Sequence, residues 1–311
     1  MSRPQRTIIQ EGGAAGMLRT TSVSHIAFRV PDVAAAADFY ERVLGLRIHS
    51  TLTDGTLRLG WGAGHHVLDL VQGEKGLLHY AFEVRDEGGL DGLRKRLTAS
   101  GTSFERLDDA VIDDAVGTAD GIAVRDPDGN DVQFHSAVRR LGEHAADTGR
   151  RPIKFQHTTI GTCDVPRFVD FFVGTVGFRL SDQLQNGHFC WMRSDRDHHT
   201  LAVVDVGRGG DIDHYSYDLA EWEDFKAWCD RLTDLDVRVQ WGPGRHGPGN
   251  NLFVFFDDPA GNHVELSAEM EKFHDDRVEY VPRRWEPKPE TVNLWGGQTP
   301  SWRNVDSGSH I

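Results

Sequence analysis

The sequence predicts an α+β fold of two tandem domains, each made of two βαβββ units whose sheets curl into half-barrels. Three observations predict it. The 311-residue chain contains itself twice: "SVSHIAFRVPDVAAAADFYERVLGLRI" near the start returns as "KFQHTTIGTCDVPRFVDFFVGTVGFRL". "LLHYAFEV" and "GHHVLDLV" return as "IDHYSYDL" and "DHHTLAVV", and "DPDGNDVQF" as "DPAGNHVEL". Each copy also repeats internally a strand, an amphipathic helix and three short strands. The domains are expected at residues 20–138 and 153–270, with a polar, charged linker over 139–152 and tails at 1–19 and 271–311.

In the second copy the first unit is expected to have strands near 154–162, 178–185, 189–194 and 199–206 and a helix near 164–175. Asp164 suits the start of that helix as a side-chain cap, and Gly177 suits its end. The second unit is expected to have strands near 212–218, 236–240, 251–257 and 262–267 and a helix near 220–234. "DPAGN" has the residues of a tight turn between the last two strands. The tail from 271 is rich in Pro, Arg and Trp. It is expected to pack irregularly over a surface, with Trp285, Trp295 and Trp302 either closing over a pocket as a lid or making a surface or subunit contact.

Composition bounds the function. Hydrophobic residues make up 38% of the chain and charged residues 26%, which suits a packed core. The formal charge of −14 argues against nucleic acid or an anionic membrane as partner. No apolar run is long enough for a transmembrane helix, and the N-terminus lacks the apolar segment of a secretory signal. Cys163, Cys190 and Cys229 form no CxxC pair and are odd in number, which suits a reducing compartment, so a cytoplasmic protein is expected.

The second copy carries His157 and His214 on the opening strands of its two units and Glu265 on a closing strand. An acid on an otherwise apolar strand needs a reason, because a buried carboxylate without a partner is costly. Two imidazoles and one carboxylate on neighbouring strands make the facial set that suits non-haem Fe(II), with zinc as the competing ion. The first copy keeps His25 and His79 but has Gln133 where the acid would be. A neutral amide does not supply the charge that holds a divalent ion, so the first copy is expected to be structural and non-catalytic.

Together with "GPGRHG" and "DPAGN…VE", these residues resemble the type I extradiol catechol dioxygenases of the vicinal oxygen chelate superfamily, over roughly residues 20–270. The resemblance implies a homo-oligomeric enzyme that binds Fe(II), or Mn(II), through His157, His214 and Glu265. It implies a small aromatic diol and O2 as substrates, with the ring cut outside the diol to a hydroxymuconic semialdehyde-type product. His199, fifteen residues before His214, falls at the family's acid–base histidine, and His246 at the histidine that bonds a substrate hydroxyl. Trp191, Trp241 and Phe255 are assigned to the pocket wall. His198 is expected on the opposite strand face, away from the site.

Two departures bear on substrate. Phe255 stands where the family commonly has Tyr, ten residues before the metal Glu. Trp241 stands where relatives that take carboxylated catechols carry Arg. They point to an apolar catechol, with Arg283, Arg284 and Lys288 of the tail as the cations that would reverse that reading. A ring-cleaving dioxygenase for an aminophenol, a hydroquinone or a trihydroxylated ring is one alternative. A ligand-binding protein of the superfamily is another, though such a protein needs no triad.

Overall fold

The computed structural model describes residues 17–62, 65–85, 87–107, 120–137, 151–274, 280–297 and 299–303. Most of the expected linker and the stretch at 108–119 lie outside these residues. Strands β1 (Thr20–Val30), β2 (Arg47–Thr51), β3 (Leu57–Gly60), β4 (Leu68–Gln72), β5 (Gly76–Val84), β6 (Phe104–Arg106), β7 (Gly121–Arg125) and β8 (Asp131–His135) form one sheet, in the order β2-β3-β4-β1-β5-β8-β7-β6. Strands β9 (Lys154–Thr162), β10 (Arg179–Leu184), β11 (Phe189–Arg193), β12 (Leu201–Asp205), β13 (Asp211–Asp218), β14 (Val239–Arg245), β15 (Leu252–Asp257) and β16 (His263–Ala268) repeat that order in a second sheet. In every unit the first strand pairs parallel with the last, and the first strands of sister units pair antiparallel. The chain is therefore an α+β protein of four βαβββ units. No helix among the described residues is long and apolar enough to cross a membrane.

Local chemistry accounts for the repeat. Helix α1 (Val33–Leu44) begins at Asp32, whose carboxylate accepts from the Ala35 amide, and ends at Gly45 in the left-handed region. Helix α3 (Val165–Val169), which follows α2 (Glu87–Ala99), is capped by Asp164 in the same way. It widens into a π-type segment over Asp170–Val176 and stops at left-handed Gly177. In the turn between β15 and β16, Asp258 accepts from the amides of Ala260 and Asn262, and Asn262 Nδ2 donates to its other oxygen at 2.8 Å. Asp126 makes the same bonds to Asp128 and Asn130 between β7 and β8. Both turns are thus built by an aspartate that satisfies the backbone N–H groups of the reversal.

The main core runs through both halves: Phe82 packs edge-on against Phe178, and Phe28 lies 5.2 Å from Tyr215. Tyr40 of α1 donates to Asp258 at 2.6 Å, which ties the first half to a turn of the second. Along β11, β12 and β15 the side chains alternate. Cys190, Met192, Val203, Val254 and Phe256 join the main core, while Phe189, Trp191, Ala202, Phe253 and Phe255 form a separate aromatic cluster on the opposite face.

Two expectations change here. The strand expected near 236–240 runs instead from Val239 to Arg245, because register shifts at Val239/Trp241 and Trp241/Gly244 carry the pairing through the Gly-Pro-Gly stretch, where Gly242–Pro243 is cis. The tail is not irregular throughout. Arg283–Trp285 forms β17, parallel to β10 at the edge of the second sheet, and after α4 (Trp222–Asp234), the helix of the fourth unit, Pro289–Val292 forms a short helix, α5.

Candidate metal centre and pocket

Strand pairing brings the three candidate ligands together. On central β13, Ser216 is opposite His157 of β9 on one side and opposite Glu265 of β16 on the other. His214, two residues away on β13, faces the same side. Ser216 is small, so the longer side chains beside it converge. His157 Nε2 is 3.0 Å from Glu265 Oε2 and 3.3 Å from His214 Nε2, and His214 Nε2 is 3.5 Å from the same Oε2.

This triangle fits a divalent ion. One face of an octahedron with bonds of roughly 2.1 Å has edges of about 3 Å. Glu265 is fully buried, and among the described residues its Oε2 has no hydrogen-bond partner. Such an atom is costly unless something compensates it, and a cation between it and two imidazoles does so. Burial works against the charge on Glu265, but the His157 and His246 contacts outweigh it and hold the carboxyl well below the usual range.

Outer partners aim these groups. His157 Nδ1 donates to Gln156 Oε1 at 3.2 Å, and Gln156 in turn donates to Asp218. His214 Nδ1 is 2.5 Å from Asp213 Oδ1. Both contacts fix Nδ1 as the outward nitrogen and aim Nε2 inward, where its lone pair would face a bound ion. Asn251 Nδ2 donates to Glu265 Oε1 at 3.2 Å, which turns Oε2 toward the histidines. The sequence reading missed Gln156, Asp213 and Asn251; Gln156 and Asp213 were legible as polar residues directly before the two histidines.

All the expected pocket residues meet at one small cavity. His199, His246, Trp191, Trp241 and Phe255 line it beside the triad, together with Phe189, Pro248 and Val292, which the sequence reading did not single out. His199 lies 4.3 Å from His157, ring to ring. Burial, reinforced by the neighbouring histidines, keeps it well below the ordinary histidine range, so it is a neutral imidazole. His246 Nδ1 donates to the Val292 carbonyl at 2.6 Å, and its Nε2 is 3.6 Å from Glu265 Oε1. Phe255 meets His214 edge to face at 5.2 Å.

The tail covers this pocket only in part. Trp302 packs against Trp241 and Phe255, and Trp285 joins the same aromatic cluster. Trp295 does not: it is 52% exposed and contacts Trp222. No Lys or Arg lines the pocket among the described residues. Arg283 is paired with Asp182 and Glu271, Lys288 with Glu286, and exposed Arg284 reaches the Gln185 carbonyl.

The first half differs from its expectation. It does set a carboxylate beside its histidines, but from another strand: donor atoms of His25, Asp69 and His79 lie within 4.8 Å of one another. Arg58 and Asp69 are paired across β3 and β4 as Trp191 and Ala202 are across β11 and β12. Arg58 is therefore the counterpart of a pocket-wall residue, buried at 2% exposure and 3.9 Å from Asp69. It already supplies the cation there, and burial still pushes Asp69 up to about 7. A divalent ion beside Arg58 would bring unbalanced positive charge into a buried site. Metal analysis of protein reconstituted with a divalent ion should give one tightly held ion per chain, and two would overturn this role for Arg58.

Comparison with known proteins gives the following. The profile of the Glyoxalase/Bleomycin resistance protein/Dioxygenase superfamily matches residues 22–134 and 154–266. Metapyrocatechase 2 of Cupriavidus necator is 27% identical, over 92% of each chain. The manganese-dependent 2,3-dihydroxybiphenyl 1,2-dioxygenase of Geobacillus genomosp. 3 is 22% identical, over 85% of this chain and 87% of the relative. The iron-dependent extradiol dioxygenase of Rhodococcus jostii (strain RHA1) is 24% identical, over 88% and 96%. Among solved structures, the Mn(II)-bound glyoxalase from Novosphingobium aromaticivorans superposes with a TM-score of 0.79 at 25% identity, covering 94% of this chain and 96% of that one. Homoprotocatechuate 2,3-dioxygenase from Arthrobacter globiformis, at 24% identity and a TM-score of 0.79, covers 93% of this chain and 92% of its own and shares the fold.

Proposed function

Because the chain belongs to the Glyoxalase/Bleomycin resistance protein/Dioxygenase superfamily, we propose that it is an extradiol dioxygenase, one that opens an apolar catechol with O2 to a hydroxymuconic semialdehyde-type product using Fe(II), with Mn(II) as the alternative ion. The observation that carries this reading is the buried triangle of His157, His214 and Glu265, with Glu265 Oε2 turned into it. Relatives named for extradiol ring cleavage support it, one of them iron-dependent and one manganese-dependent.

His157, His214 and Glu265 would hold the ion. When bound, the ion supplies Lewis acidity and a meeting point for the diol and dioxygen. The protein's own residues do the rest. His199, neutral and buried, accepts a proton and returns it on the dioxygen side. His246 donates from Nδ1 to the Val292 carbonyl, so Nε2 is the atom that faces a substrate hydroxyl. Trp191, Trp241, Phe189 and Phe255 exclude water and orient the ring. Phe255 adds apolar surface there and no hydroxyl.

Reconstitution with Fe(II) or Mn(II), followed by oxygen uptake with catechols and the appearance of a yellow ring-opened product, tests the activity. Metal-loaded protein that consumes no oxygen with any catechol would overturn it. A second expectation concerns substrate. Aromatic walls favour apolar area by roughly 25 cal/mol per Å², and a carboxylate in a pocket lined by no cation is penalised. Comparing kcat/KM should therefore rank 2,3-dihydroxybiphenyl and 3-methylcatechol above 3,4-dihydroxyphenylacetate. The reverse order would show that a cation reaches the substrate.

A further inference from the structure

His198 and Asp182 line no part of the pocket, yet they stand directly behind its acid–base histidine. Both are fully buried. His198 Nε2 is at ion-pair distance, 3.0 Å, from Asp182 Oδ2, and His198 Nδ1 is 3.1 Å from His199 Nδ1. A ring nitrogen lone pair that close to a carboxylate oxygen would be repelled, so Nε2 of His198 carries its hydrogen. Nδ1 of His198 is then the atom shared with His199. That contact occupies Nδ1 of His199 and leaves Nε2, the other ring nitrogen, for the cavity that His199 lines.

The tail holds Asp182 in turn. Arg283 Nε donates to both carboxylate oxygens at 3.0 Å, and the Arg283 amide donates to Oδ1 at 3.1 Å. Trp285 Nε1 donates to Oδ2 at 2.7 Å, and the Tyr280 hydroxyl donates to Oδ1 at 3.2 Å. Burial opposes the charge on Asp182, but His198, Arg283 and Trp285 outweigh it, so Asp182 is a carboxylate. These contacts fall at the pairing of β17 with β10, where Asp182 is opposite Arg283. The same tail supplies the Val292 carbonyl that orients His246.

We propose that Asp182 and His198 are positioning residues for His199, and that the tail, through Arg283 and Trp285 on β17, sets them in place. The tail then belongs to the active site as a brace for the proton-transfer group, in addition to covering the pocket. This rests on the reading of the pocket as a ring-cleaving site in which His199 moves the proton. A buried polar cluster that only joined β17 to β10 would make a different prediction. Its loss would lower stability and disturb metal, substrate binding and turnover together.

The test uses the metal-loaded full chain and the variants His198→Phe, His199→Phe and the double variant, with Trp285→Phe as a milder change should His198→Phe fail to fold. Metal content, anaerobic catechol Kd and turnover with O2 are measured for each. For His198→Phe, metal content and catechol Kd should stay within about twofold, while kcat falls roughly 10- to 100-fold, the usual cost of losing a partner behind a working group. Trp285→Phe should show a smaller fall in kcat, again at unchanged Kd. In the His199→Phe background His198→Phe should add nothing, because it acts only through His199. A further loss in the double variant, or a His198→Phe or Trp285→Phe enzyme as fast as wild type, would overturn the proposal alone. A metal-loaded wild type that cleaves no catechol would overturn the reading of the site and the proposal with it.

Discussion

Glu265→Gln should leave the protein folded and almost empty of metal, with ring cleavage reduced by more than about 10²-fold. The first half already carries this amide, Gln133, at the matching place, which shows that the fold accommodates it. Size is nearly unchanged, and Asn251 still meets a side-chain oxygen where it now donates to Oε1 at 3.2 Å. What disappears is the negative charge facing His157 and His214 at 3.0 and 3.5 Å. Loss of an outer partner of a ligand typically costs roughly 10- to 100-fold in affinity or activity. Loss of the one anionic ligand should cost more, since two neutral imidazoles then face a divalent ion unaided. Metal analysis after gel filtration and oxygen uptake with a catechol check this together. A Glu265→Gln protein that keeps its full metal content and turnover would show that the ion is held elsewhere.

His199→Phe should separate binding from chemistry. The ring lies 4.3 Å from His157 and is buried, so an apolar ring fills the space without creating a cavity. The triad is untouched, and anaerobic catechol binding should remain within about twofold. The group that takes and returns a proton is gone, which removes on the order of 10²–10⁴-fold from the step that follows dioxygen binding. Anaerobic titration of the catechol followed by rapid mixing with O2 measures the two steps separately. An unchanged turnover number would remove His199 from the chemistry and would leave His198 with nothing to position.

Much of this site was legible because it is written as a repeat. Two copies of the same landmarks made His157, His214 and Glu265 comparable with His25, His79 and Gln133, and the change of acid to amide marked the second half. The turn at Asp258 and the cap at Asp164 were legible for a local reason: each aspartate bonds to backbone within a few residues, as Asp126 and Asp32 do in the first half. Asp69 was not legible, because it reaches the first half's histidines from β4, where the matched stretch of the second half has Ala202 and no ligand. Nor was the exposure of Trp295, since three tryptophans in one tail look alike until neighbours are known.

The sequence by itself determined the four units, the half that carries the acid, and the histidines and aromatic residues that meet at the pocket. It could do so because strand alternation and short-range capping depend on spacing along the chain. Only the tertiary structure decided what stands behind those residues. His198 looked like a residue on the wrong face, and in sequence it does precede the pocket histidine on the alternate side. Its role depends on Asp182, brought beside it by the sheet, and on Arg283 and Trp285, brought there by β17 from about a hundred residues away. Likewise Arg58 is an ordinary strand arginine in the sequence. Its burial opposite Asp69, in the place that Trp191 takes in the other half, follows from cross-strand register. Contacts of that kind are set by which strands become neighbours, and no local pattern in the chain records that.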